Sequence, residues 1–219
     1  MISINKHSSI KITSERYGNI YFDPYQIRND IHDADVIFIT HNHYDHFSLD
    51  DIRKVVKRDT KFVCANSCLE SLISVGINSD RITTFSPNEK GTVIAKNGQI
   101  IEVSATPAYN IGRIYHPKEN NWIGYLVKLD DKDGNPCTYF VPGDTDMTED
   151  ILNVRCDVCF VPIGGTYTMN AEEAAKYVNT IRPKLAIPMH YGMVAGADVK
   201  GVDFAKLVDE DIDVSILVR

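Results

Sequence analysis

The chain has 219 residues, 43% of them hydrophobic, with a net charge of −7 and five cysteines. A chain of this length buries enough surface to fold without disulfides, and an odd cysteine count without a leader fits a reducing compartment. The acidic balance argues against a broad nucleic-acid-binding face, no apolar run reaches the about 20 residues that cross a bilayer, and the N-terminus lacks the apolar stretch of a signal peptide.

The expectation is therefore a single cytoplasmic domain over 1–219. Ile10, Ile12, Ile20 and Phe22 alternate with polar residues, which predicts two half-buried strands around a turn at Tyr17-Gly18-Asn19. Residues 36–40 form a short apolar run, the mark of a buried strand, and lead into His41-Asn42-His43-Tyr44-Asp45-His46. Ser48, with Asp51 three residues on, predicts a helix start. Ile52, Val55 and Val56 would be its buried face, and Lys54, Lys57 and Arg58 its solvated one. A strand over 62–65 and a helix over 67–75 ended by Gly76 follow.

Residues 82–104 alternate like antiparallel strands, with Asn97-Gly98 as a hairpin turn. Residues 122–129 and 138–141 would pair across Asp133-Gly134-Asn135. Another buried strand covers 158–163. Asn170 and Glu173 predict a capped helix to Ile181, stopped by Pro183. A strand over 185–188 delivers His190, and a helix over 202–210 and a strand over 214–218 complete the chain. Strands in both halves with helices between them point to two packed sheets with helices outside: an α+β, four-layer αββα sandwich.

The chemistry gathers at 41–46. Four metal-binding side chains lie within six residues, after a buried strand and before a helix. His41 and His43, two apart, point to the same side of an extended backbone. Asp45 and His46 are adjacent and can diverge toward a second ion. Imidazole with carboxylate suits zinc, iron, nickel or copper. Cys156 and Cys159 are spaced like half of a redox or zinc motif, but no second pair exists, and they read as core residues.

Thr40–His46 resembles the signature of the metallo-β-lactamase superfamily. The resemblance runs from about His7 to His190. It is carried further by His7-Ser8-Ser9, Asp23-Pro24, Gly143-Asp144-Thr145, Gly164-Gly165-Thr166 and Pro188-Met189-His190, and it is nearest to the branch holding ascorbate-phosphate lactonases and phospholipase-D-like enzymes. It implies two divalent ions, zinc foremost, with manganese, iron or nickel as alternatives. It also implies ligands His41, His43, Asp45, His46, Asp144 and His190. Asp144 would bridge the ions, and Asp45 and Asp144 would be the catalytic carboxylates. His7, Asp23, Tyr109, Asn110 and Tyr167 are expected to support the site or touch substrate.

The sequence departs from the family in its middle. Where a third histidine for the first metal is usual, Tyr109-Asn110 stands. Two arrangements are open: a loop that folds back to bring His116 into the vacant place, or a first site completed by Asn110 or water.

The implied activity is hydrolysis of a small ester, lactone or phosphodiester by hydroxide activated between two metals. The alternatives are a non-catalytic metal-binding or sensing domain and an RNA-processing nuclease. Diiron redox chemistry is disfavoured, because relatives that perform it replace the second signature histidine, and His43 is retained. The expected partner is a small molecule, not nucleic acid or membrane. Oligomeric state is not fixed.

Overall fold

The structure is a computed structural model that describes residues 1–193 and 197–218. Its first half forms a six-stranded sheet in sequence order: β1 (Ile2–Ile4), β2 (Ile10–Ser14), β3 (Gly18–Phe22), β4 (Ala34–Ile39), β5 (Val56–Ala65) and β6 (Ile82–Phe85). The first three strands are antiparallel, and β3 to β6 run parallel. The second half forms a seven-stranded sheet. Its members are β7 (Lys90–Ile94), β8 (Ile100–Pro107), β9 (Ile123–Asp130), β10 (Pro136–Val141), β11 (Val158–Pro162), β12 (Leu185–Met189) and β13 (Asp213–Val214). Here β7 to β10 are antiparallel and β10 to β13 parallel.

Alternation sorts the side chains into three apolar layers. In β4, Val36 and Phe38 point to the other sheet. Ile37 and Ile39 point outward, under Ile52 and Val55 of α1 (Leu49–Val55) and Leu72 of α2 (Leu69–Ser74). In β11, Phe160 points inward. Cys159 and Val161 point outward beneath α3 (Ala171–Ile181) and Phe204 of α4 (Gly201–Ala205). Helices thus cover both outer faces, giving the expected four layers.

Phe22, Phe38 and Tyr125 fill the space between the sheets. Phe22 stacks on Phe38 at 4.7 Å, and Phe38 meets Tyr125 edge-on at 5.0 Å. The Tyr125 hydroxyl is buried, so it needs a partner. It finds one by donating across the layers to the Ile39 carbonyl at 2.8 Å.

Several sequence boundaries shift. The strand expected over 62–65 begins at Val56, so Val56, Lys57 and Arg58 leave the predicted helix for β5. Lys57 then pairs with Asp35 at 2.6 Å rather than lying on a solvated helix face. β6 belongs to the first sheet, parallel to β5, and only β7 and β8 form the hairpin around Asn97-Gly98. The last helix ends at Ala205, and the last strand is only Asp213–Val214. The Asn170 cap and its reciprocal Glu173 contact stand as read. All five cysteines are free. No helix of the described residues is long and apolar enough to cross a membrane.

Candidate metal centre

The loops leaving the C-terminal ends of β3, β4, β8, β10 and β12 carry Asp23, His41 to His46, His116, Asp144 and His190 respectively. The turn between β1 and β2 adds His7. These residues come from distant parts of the sequence, and their donor atoms meet in overlapping groups. One holds His41, His43 and His116; another holds His7, Asp45, His46 and His190; a third joins His41, His46 and Asp144. Within each group the donor atoms lie within 4.8 Å of one another.

Asp144 stands between the groups, only 3% exposed. Its Oδ2 is 3.3 Å from His116 Nε2 and 2.9 Å from His190 Nε2, while Oδ1 is 3.2 Å from His46 Nε2. The sequence left open whether His116 or Asn110 fills the gap left by the missing middle histidine. The structure puts the His116 ring there, beside His41 and His43 at 5.4 and 4.9 Å between centroids. Asn110 lies behind it. His116 Nδ1 donates to Asn110 Oδ1 at 2.8 Å, and the Asn110 amide donates to Asp146 Oδ1 and the Tyr167 carbonyl, each at 3.0 Å. Asn110 therefore turns the Nε2 of His116 toward Asp144.

Asp23 does the same for His46. It accepts from His46 Nδ1 at 2.7 Å and from the Thr40 amide and hydroxyl at 2.8 and 2.7 Å. The Thr40 hydroxyl has spent its proton on Asp23, so it accepts from His41 Nδ1 at 2.9 Å. His41 Nε2 then faces the first group as a lone pair. It sits 3.2 Å from His43 Nδ1. Such rear contacts fix the tautomer and orientation of metal-binding imidazoles.

Backbone strain is concentrated here. His7, Asp23 and His190 all adopt left-handed φ, at 55°, 45° and 58°. Each costs of order 1–3 kcal/mol and persists only where the surroundings impose it. Gly164 is needed at its position because a Cβ there would come within 2.5 Å of the His190 carbonyl oxygen.

The electrostatics follow from burial. Burial holds the His41 and His43 imidazoles below their usual range, so they are neutral donors. Burial opposes ionisation of Asp144, but His190 and His46 outweigh it and hold the carboxyl well below the usual range. Burial likewise opposes Asp45, yet the His7 contact and His46 bring it down to about 2. His46 is pushed the other way. Burial alone would lower it, but the Asp144 and Asp23 carboxylates raise it well above the usual range.

These residues fit divalent metal binding. Buried nitrogens of His46, His116 and His190 and one oxygen of Asp144 have no hydrogen-bond partner, which is costly unless something else occupies the space. The donor set is imidazole and carboxylate, the chemistry of zinc and its neighbours. Metal–nitrogen bonds of about 2.0–2.1 Å separate tetrahedral ligands by about 3.3 Å. His41–His43, His46–Asp144 and His116–Asp144 are 3.2, 3.2 and 3.3 Å apart.

Above the donors lies a cleft of about 280 Å³, lined by Tyr25, Tyr44, Tyr115, Tyr167 and Met193 together with site residues. Tyr115 and Tyr167 meet edge-on at 4.6 Å, and Tyr25 and Tyr44 at 6.1 Å. Tyr109 does not line the cleft; its hydroxyl donates to Asp150 at 2.8 Å. Met169 is buried in the outer core.

Sequence reasoning missed Trp122, whose indole packs on His41, His43 and His116 at 4.9, 4.6 and 5.4 Å. It also gave no role to Tyr25, Tyr44, Tyr115 or Asp146. Tyr44 lies inside the histidine motif and Asp146 lies two residues after Asp144. Their proximity in sequence was the available signal.

The beta-lactamase superfamily domain matches residues 16–191. A UPF0173 metal-dependent hydrolase of Pyrococcus furiosus is 32% identical over 86% of this chain and 80% of its own length. One from Methanosphaera stadtmanae is 29% identical over 94% and 90%. A solved structure from Parabacteroides distasonis superposes with a TM-score of 0.77 at 27% identity, covering 100% of this chain and 93% of that one. Igni18, a metallo hydrolase of Ignicoccus hospitalis, shares the fold at a TM-score of 0.76 and 20% identity, over 99% and 94%. With the histidine motif, the two packed sheets and the convergent donors already in place, the chain belongs to the beta-lactamase superfamily, alongside the UPF0173 metal-dependent hydrolases.

Proposed function

We propose that the protein is a metal-dependent hydrolase that holds two divalent cations, zinc foremost, and cleaves a small neutral ester or lactone. The observation that carries this reading is the shared carboxylate: one oxygen of Asp144 lies within 3.3 Å of donors from both groups. His41, His43 and His116 would hold the first ion, Asp45, His46 and His190 the second, and Asp144 both. Such a pair supplies an activated water and Lewis-acid polarisation of the scissile carbonyl.

The protein's own residues orient and enclose. The Asp45 side chain, 17% exposed, reaches the cleft. With its pKa down at about 2, Asp45 stays ionised at neutral pH. It orients the attacking water by accepting a hydrogen bond and stores protons poorly. Asp144 is held low as well, so its role is to keep the donor groups together rather than to relay a proton. The tyrosine walls limit water and present flat, apolar surface to the substrate. With His116 beside His41 and His43, the first donor group has three imidazoles, which supports catalysis over a non-catalytic metal-binding domain.

The lining also bears on substrate class. Among the described residues, no lysine or arginine lines the cleft. The nearby Arg113 is engaged with the Gly165 and Thr168 carbonyls at 3.0 and 2.8 Å, and Lys118 with Asp150 at 2.9 Å. A phosphodiester would meet only the ions and hydroxyls there. The volume, at the lower end for ligand sites, suits a small molecule.

The test is a kinetic comparison on metal-loaded protein, using phenyl acetate and δ-valerolactone beside bis(p-nitrophenyl) phosphate. The neutral carbonyl substrates are expected to lead by roughly 100-fold in kcat/KM. Tyr115→Ala is expected to raise KM for phenyl acetate with little change in kcat. Faster turnover of the phosphodiester would overturn the substrate assignment, and no hydrolysis of any ester, lactone or phosphodiester would overturn the enzymatic one.

A further inference from the structure

His7 lies in the turn between β1 and β2, far in sequence from the histidine motif, yet its ring enters the second donor group. Its Nε2 is 3.2 Å from Asp45 Oδ2. That separation equals those of His41 from His43 and of His46 from Asp144. The ring packs against His190 at 3.8 Å between centroids, and the His7 carbonyl accepts the His190 amide at 3.2 Å.

Three features separate this histidine from a packing residue. It is only 3% exposed and still lines the cleft. Its backbone is left-handed, at φ 55°. Its Nδ1 is buried without a partner. His41, His46 and His116 are each anchored through Nδ1 by Thr40, Asp23 or Asn110. The His7 ring has no such rear anchor, and its polar contact is made toward the donors. A strained backbone that presents an unanchored, buried imidazole to a cation nest is explained when the nest itself holds the ring.

We propose that His7 is a direct ligand of the second ion. That ion would then have His7, Asp45, His46 and His190 besides the shared Asp144. The first would have His41, His43, His116 and Asp144. Binding through Nε2 moves the ring proton from Nε2 to Nδ1, so the imidazole stays neutral, and a bond to the ion replaces the Asp45 contact. The two sites are consequently unlike, and the richer second site fills first. This inference rests on the two-ion reading above.

The test is titration of metal-free full-length protein with cobalt(II) chloride, in competition with a chromophoric chelator, while the visible absorption of bound cobalt is recorded. Wild type, His7→Ala and His7→Gln are compared, and circular dichroism of the metal-free forms checks folding. Glutamine keeps a hydrogen bond to Asp45, so it separates a lost ligand from a lost fold. Wild type is expected to bind two ions. In both variants the ion that binds first loses about 10–100-fold in affinity, and its absorption intensifies as the coordination number falls.

Unchanged affinity in the variants overturns the proposal. So does weakened binding with an unchanged spectrum, because His7 would then act only by positioning Asp45. Fewer than two ions in wild type overturns the two-ion reading, and this inference with it, which distinguishes that failure from the other two.

Discussion

Asp144→Ala is expected to lower kcat/KM of the metal-loaded enzyme by on the order of 10³-fold or more, which is what removing several kcal/mol of metal-supplied stabilisation amounts to. The residue is buried, and its contacts are to His41, His46, His116 and His190. No other carboxylate of the site touches both groups. Asp45, the other acidic member, contacts only His7, His46 and His190. Without Asp144, the two groups lose the charge that they share. Asp144→Asn keeps the shape and removes the charge, so it should fall nearly as far. Steady-state kinetics on variants loaded with metal to saturation would check this. Retention of more than a tenth of wild-type activity by Asp144→Ala would contradict a shared role.

Removing metal is expected to destabilise the fold strongly. The Asp144 carboxylate and several unpaired nitrogens are buried together, with the Asp45 carboxylate beside them, an arrangement that cations offset. An ion that binds only the folded chain adds about 4 kcal/mol at 1,000 times its dissociation constant. For a chain of this size each kcal/mol moves Tm by about 2–4 °C. Two ions should therefore raise Tm by roughly 16–32 °C over the chelated protein. Calorimetric melts with zinc and with a chelator measure this. Coincident melts would contradict any tight metal site.

Much of this was legible in the sequence, for physical reasons. His41, His43, Asp45 and His46 lie on one short loop after a buried strand, so local spacing alone brings their donors together. Alternation and turn chemistry exposed most strands, and the Asn170–Glu173 cap exposed α3. The pairing of β6 with β5 was not legible, because a parallel partner lies outside the local window that alternation reports. The helix drawn through Val56 failed for a related reason. Val56 is apolar and helix-spaced, but its register opposite Ala34 draws it into β5. The place of His116 depended on a loop path that spacing does not fix; its contacts with Asn110 and Asp144 put the ring beside His41 and His43. The tyrosine walls come from four separate loops, and no sequence pattern links them.

The proposal of two cations is tested most directly by elemental analysis of protein purified without chelator, with wild type beside His116→Ala. Two ions per chain in wild type, falling toward one in the variant, are what the arrangement of His41, His43 and His116 around Asp144 predicts. One ion or none in wild type, even after reconstitution with excess zinc, would contradict it.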